Sequence, residues 1–199
     1  MEIIIYRHAE PLVTGNEIIF GHDFPLWVLR YNESGIVKIA PKEKKEKIVF
    51  TSNLKRSIET GKHIGREIIQ SPVFREAEVP LIKFPSIQIN AKYWLSLSRV
   101  LWLLGLQTKC ESFRSAKQRA TQIVEKLSSK LSNHQRVVLV GHGFMNGLLK
   151  KELIHRDWSL TKIEGGNGFL AKMTFVTEQN VSPERSGSGV LNQVDSAAR

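Results

Sequence analysis

The chain has 199 residues, 41% of them hydrophobic, with 29 Lys and Arg against 19 Asp and Glu, a formal charge of +10. That length suits one α/β domain with insertions, and the single cysteine, Cys110, excludes an internal disulfide or a thiolate metal cluster and suits a reducing compartment. No stretch reaches the roughly 18 to 20 apolar residues needed to span a bilayer, and the start, with Glu2 and no basic region, does not read as a secretory signal, so a cytoplasmic protein is expected.

Ile3-Ile4-Ile5-Tyr6 is an apolar, β-branched run that stops on Arg7 and His8, the pattern of a strand buried on both faces as in a parallel sheet. Arg7 and His8 then sit at its carboxyl end, where open α/β sheets bind ligands. A turn-rich loop follows (Pro11, Thr14-Gly15-Asn16, Gly21-His22-Asp23, Pro25), with a short helix expected around Glu33 to Ala40. Pro41 to Lys47 reads as a solvated, lysine-rich connection. Ile48 to Thr51 is a second buried strand ending on Ser52-Asn53, good capping residues, and Leu54, Ile58, Gly61, Gly65, Ile68 and Ile69 predict one helix running to about Gln70. Arg56 falls in its first turn, again just past a strand end.

Val73-Phe74-Arg75 reads as a short extended piece, followed by Glu76-Ala77-Glu78 and a proline-punctuated segment. Trp94, Leu97, Leu101 and Leu104 keep one helical face within Tyr93 to Leu106, expected to be a helix of an inserted cap at about 77–110, with a membrane-surface or homodimer contact as the alternatives. Glu111 to Leu131 is the clearest amphipathic helix, and Arg136 to Val140 is a third buried strand, ending on Gly141-His142-Gly143 before a helix over Phe144 to Ile154. Ala171 to Val176 alternates as a final strand at or near an edge, and the Ser, Gly, Asn and Gln composition of 179–199 predicts a flexible tail after a domain of 1–178. Strands alternating with helices predict a three-layer α/β/α sandwich with a mostly parallel central sheet.

Three strand ends thus present Arg7-His8, Arg56 and His142. Two arginines offer fixed forks of donors to phosphate oxygens, and a histidine is a nucleophile when one ring nitrogen is held and the other is free. Gly141 and Gly143 flank His142 at a sharp strand-to-helix turn, where a helix amino terminus would add positive potential toward an anion.

Tyr6-Arg7-His8-Ala9-Glu10 resembles the Arg-His-Gly-Glu signature of the histidine phosphatase superfamily, phosphoglycerate mutase-like branch. Ser52-Asn53-Leu54-Lys55-Arg56-Ser57, with Thr60, is similar to its second block, and Val140-Gly141-His142-Gly143 to its last, so the resemblance covers roughly residues 2 to 176. The resemblance implies a phosphatase of small phosphorylated substrates that needs no metal or other cofactor and forms a phosphohistidine on His8. It implies that Arg7, Arg56 and His142 hold the phosphoryl oxygens. A carboxyl group in the family's Leu-x-Glu block protonates the leaving oxygen, and Phe74-Arg75-Glu76 matches it, so Glu76 is the expected acid, with Glu78, two residues on, as the alternative.

The sequence departs from the family in places. Ala9 replaces a glycine, tolerable on a backbone with φ below zero. The asparagine that many members carry six residues after the nucleophile is Thr14, with Asn16 close by, and either could donate to phosphate. The continuation after the acid is replaced by 80–106, the part expected to select substrate. The remaining histidines, His22, His63, His134 and His155, read as surface or structural, with His22, in the first loop, the one expected to border the site. Rival readings are a mutase, a phosphatase of protein phosphohistidine or phosphoserine, and a noncatalytic anion-binding protein; nucleic acid is not an expected partner.

Overall fold

The computed structural model describes residues 1–40, 44–106, 110–132 and 134–177. The expected tail at 179–199 and the first part of the lysine-rich connection lie outside them. A six-stranded sheet in the order β4-β3-β6-β1-β8-β7 forms the middle layer. It consists of β1 (Glu2–Arg7), β3 (Glu46–Thr51), β4 (Gly65–Gln70), β6 (Arg136–Gly141), β7 (Ser159–Glu164) and β8 (Lys172–Val176). Strands β4, β3, β6 and β1 run parallel, whereas β8 is antiparallel to both β1 and β7.

Alternation along β1 explains the layers. Ile3 and Ile5 face a core shared with α4 (Phe113–Leu131) and α5 (Gly143–His155), while Ile4 and Tyr6 face Val49, Ile64, Val138 and Val140 under α2 (Lys55–Ile64). Helix α4, expected from Glu111, begins two residues later behind the cap Ser112, whose hydroxyl accepts the Ser115 N–H at 3.0 Å.

Three local expectations are corrected. The helix expected to reach Gln70 ends at Ile64, and Gly65–Gln70 turns back as edge strand β4 beside β3. Ile68 and Ile69 fit a helical stripe as well as a strand, and an edge strand exposed along most of its length carries no alternation to separate the two. The helix expected at 33–40 lies upstream, as α1 (Phe24–Glu33), begun by Pro25, whose fixed φ suits a first turn. Val73 and Phe74 belong to a 3-10 turn, not an extended piece, and Phe74 packs edge-on against Phe50.

The cap has a core of its own and is built from two stretches, not from 77–110 alone. Strand β2 (Ile18–Phe20), in the loop after β1, pairs antiparallel with β5 (Gln88–Asn90). Phe24, Trp27 and Val28 of α1 bury against Val79, Phe84 and Trp94, the last from α3 (Ala91–Leu103). Phe84 stacks on Trp94 with ring centres 4.9 Å apart. Trp102, nearer the end of α3, leaves this cluster for the main core and donates its indole N–H to the Glu111 carbonyl, tying cap to sheet. Among the described residues no helix is long and apolar enough to cross a membrane.

Candidate active site

Parallel pairing brings three strand ends level: Arg7 lies opposite Gly141 and Thr51 opposite Val140. The residues that follow, His8, Ser52 and His142, are therefore neighbours, all buried. The His8 and His142 rings are 5.1 Å apart. His8 Nδ1 donates to the Ala9 carbonyl at 2.7 Å, so its proton is fixed there and Nε2 is left with the free lone pair. Burial, reinforced by the Arg56 guanidinium, holds the His8 pKa down at about 3, so the ring is neutral at physiological pH. Thr60 secures the following residue, accepting the Ala9 N–H at 2.9 Å while donating to the Arg56 carbonyl. Ala9 is not among the positive-φ residues, so an alanine there carries no backbone strain.

His142 caps α5, and its Nε2 lies 2.7 Å from Ser52 Oγ. Ser52 and Asn53 were expected to cap α2, but that helix starts at Lys55 without a side-chain cap; the Ser52 hydroxyl accepts the Leu54 N–H and orients His142 instead. Burial first, then the neighbouring His8 and Arg56, push the His142 pKa well below its ordinary value.

Arg56 stacks over the Tyr31 ring and donates to the Tyr31 carbonyl at 2.9 Å, so α1 of the cap orients it. Arg7 stacks over Phe169, 4.6 Å from its ring centre, and donates to the Asn167 carbonyl. Phe169 also lies 5.7 Å from the His8 ring. Gly143 lies beside the Arg7 guanidinium: a Cβ there would stand 3.4 Å from Arg7 Nε and Cζ, in ordinary van der Waals contact. Three buried nitrogens in this group, Arg7 Nε, Arg56 Nε and His142 Nδ1, have no hydrogen-bond partner among the described residues.

Glu76 is anchored on α5. Its Oε1 accepts the N–H groups of Met145 at 2.8 Å and Ala77 at 2.9 Å, and its Oε2 accepts that of Phe144 at 3.0 Å. At the start of α5, expected to add positive potential toward an anion, the N–H groups of residues 144 and 145 hold this carboxyl. Arg119 clamps the Glu76 loop, donating to the carbonyls of Val73 and Arg75 and pairing with Glu111. Arg99 of α3 donates to the Ala77 and Glu78 carbonyls. Glu78 is exposed, and its backbone N–H is directed to Glu111.

Arg7, His8, Arg56, Glu76, Glu78 and Asn146 are among the residues lining one cavity of about 990 Å³, and His142, fully buried, lies behind His8 and does not line it. Thr14 and Asn16 are not brought to it: the Thr14 carbonyl accepts the Glu17 N–H, and Asn16 accepts from Lys92 beside the β2–β5 pair. His22 also lies away from it, beside Phe20 and Ser86. Sequence reasoning missed the β7–β8 loop that carries Asn167 and Phe169, and it missed Tyr31. The run Gly165-Gly166-Asn167-Gly168 was the available signal for that loop.

Residues 3–182 match the family model of the histidine phosphatase superfamily (branch 1). The chain belongs to that superfamily. Solved structures share the fold at low identity. A putative alpha-ribazole-5'-P phosphatase from Escherichia coli is 18% identical, with 77% of this chain and 79% of that one covered and a TM-score of 0.55. A mycobacterial glucosyl-3-phosphoglycerate phosphatase complexed with VO3 is 16% identical (87% and 91% covered, TM-score 0.53). The alpha-ribazole phosphatase of Shigella flexneri is 16% identical (88% and 95% covered, TM-score 0.52). A search of curated proteins finds no match to this histidine phosphatase superfamily member.

Proposed function

We propose that the protein hydrolyses phosphomonoesters through a phosphohistidine on His8, with no metal taking part. The observation that carries this reading is the set of three unpartnered buried nitrogens, on Arg7, Arg56 and His142, gathered around a neutral histidine whose Nε2 is free. Buried donors without partners are costly, and a phosphoryl group with three oxygens satisfies all of them at once.

His8 Nε2 attacks phosphorus in line as the bond to the ester oxygen breaks. Arg7 and Arg56 neutralise the charge spread over the equatorial oxygens. With the Ser52 hydroxyl donating to Nε2 of His142, the proton of that ring sits on Nδ1 and is donated to a phosphoryl oxygen. Glu76 gives a proton to the leaving alkoxide. Its Oε1 is filled by two N–H groups and its Oε2 by one, so Oε2 is the oxygen with room for that proton. Water then attacks the phosphohistidine, Glu76 takes back a proton, and inorganic phosphate leaves with His8 restored. Glu76 is favoured over Glu78 because it is fixed on the helix that follows His142. The lone cysteine and the small phosphorylated substrate fit a cytoplasmic setting.

Turnover of a chromogenic phosphate ester, in the presence of chelator, tests the reading. His8→Ala should abolish it while circular dichroism shows the fold intact, and retained activity in that variant refutes the nucleophile.

A further inference from the structure

The cavity above the phosphate-binding floor has a character that phosphate chemistry does not require. Four separate parts of the chain contribute apolar side chains to its lining. Leu29 comes from α1, Leu81 from the segment before β5, Leu95 from α3 and Ile163 from β7. Leu29 is 52% exposed, Leu81 46% and Ile163 50%, so these lining side chains face solvent and are not covered by the cap's own core. Beneath them Val28 and Val79 line the same space. The volume, about 990 Å³, lies at the upper end of small-molecule sites, which run from roughly 300 to 1,000 Å³, and a phosphoryl group fills only its floor. Polar residues are present too: Arg99 is committed to the Ala77 and Glu78 carbonyls and to stacking on Phe144, while Arg75 and Lys150 lie among the lining.

We infer that the substrate is a phosphomonoester of a large hydrocarbon alcohol, its phosphate on His8, Arg7 and Arg56 and its chain against Leu29, Leu81, Leu95 and Ile163. This rests on the phosphatase reading and specifies the leaving group. An apolar chain laid along this wall removes from water both its own surface and that of leucines and an isoleucine that otherwise face solvent. A compact polar alcohol such as a sugar or a hydroxy acid leaves that wall wet and gains nothing from it.

The test is a series of n-alkyl monophosphates from ethyl to decyl, each below its aggregation concentration, compared for kcat/KM, with the matching alkyl phosphonates measured for binding by calorimetry. The expected result is a rise in kcat/KM and in phosphonate affinity of about two- to fourfold per added methylene, the upper figure being the ratio that transfer of one CH₂ from water supplies. The double variant Leu29→Ser, Leu81→Ser should lower the decyl-to-ethyl ratio at least tenfold. A flat series for both turnover and binding, or a preference for sugar phosphates over decyl phosphate, overturns the inference and leaves the phosphatase reading standing. Phosphonate affinity that climbs with chain length while no ester is hydrolysed supports the apolar site and overturns the phosphatase reading.

Discussion

Lowering the pH should destabilise this protein through His8 in a way that can be worked from its surroundings. Buried His8 has its pKa held at about 3 in the folded chain, whereas an exposed histidine titrates near 6.5 in the unfolded one. The folded value is depressed, so the contribution to stability is complete above about pH 6.5 and is lost as the pH falls toward 3, because the unfolded chain takes up the proton first. Between about pH 7.5 and about pH 5 the loss from His8 comes to about 2 kcal/mol, a sizeable share of the roughly 5 to 15 kcal/mol that holds a domain folded. His142 is shifted in the same direction and adds to the loss. Urea unfolding across this range, in buffers free of phosphate so that no anion stabilises the site, measures it. His8→Ala removes one of the two titrations, so the stability of the wild type minus that of the variant should fall by about 2 kcal/mol as the pH drops. Parallel curves for the two proteins would refute the claim that His8 is held neutral by burial.

Glu76→Gln should lower kcat by about 10² to 10⁴ for alkyl phosphates, whose leaving oxygen needs a proton, and by much less for a nitrophenyl ester. Glu78→Gln should stay within a few-fold on both, and the comparison by steady-state kinetics assigns the acid. Arg119→Leu should cost about 2 kcal/mol in urea unfolding, since it strands the Val73 and Arg75 carbonyls and leaves Glu111 unpaired. Its kcat should fall more than its KM rises, because Arg119 holds the loop of the acid and touches no substrate. Gly21→Ala would place a Cβ 2.4 Å from the Pro85 carbonyl oxygen and against Phe84, so it should destabilise the cap by about 1 to 3 kcal/mol. Fluorescence of Trp27 and Trp94 reports that change.

The parts of the chain legible in sequence are those whose burial is two-sided and whose function needs a fixed residue type. Strands β1, β3 and β6 carry unbroken apolar runs because helices cover both faces, and each run ends on the residues that meet at the site. Strand β7 escaped notice because its pairing with β8 slips between Leu160 and Lys162, so Leu160 and Ile163 lie three apart and the period of two is lost. With β7 went the loop that brings Asn167 and Phe169 over Arg7. The cap was half seen: α3 has a clear apolar stripe, but Ile18–Phe20 is three residues long and gains meaning only by pairing with Gln88–Asn90, a contact between distant parts of the chain. Thr14 and Asn16 went astray for a related reason, since counting from His8 ignores that the loop leaves the sheet edge to build the cap. Tyr31 orients Arg56 through its backbone carbonyl and its ring, and neither use leaves a motif.

Rapid alkaline quenching during turnover of a radiolabelled phosphate ester, followed by peptide mapping at alkaline pH, bears most directly on the proposed chemistry. Label should appear on the peptide containing His8, be released by acid but survive alkali, and be absent from His8→Ala. Label on another residue, or steady turnover with none trapped on the wild-type enzyme and undiminished in His8→Ala, contradicts a phosphohistidine route through His8.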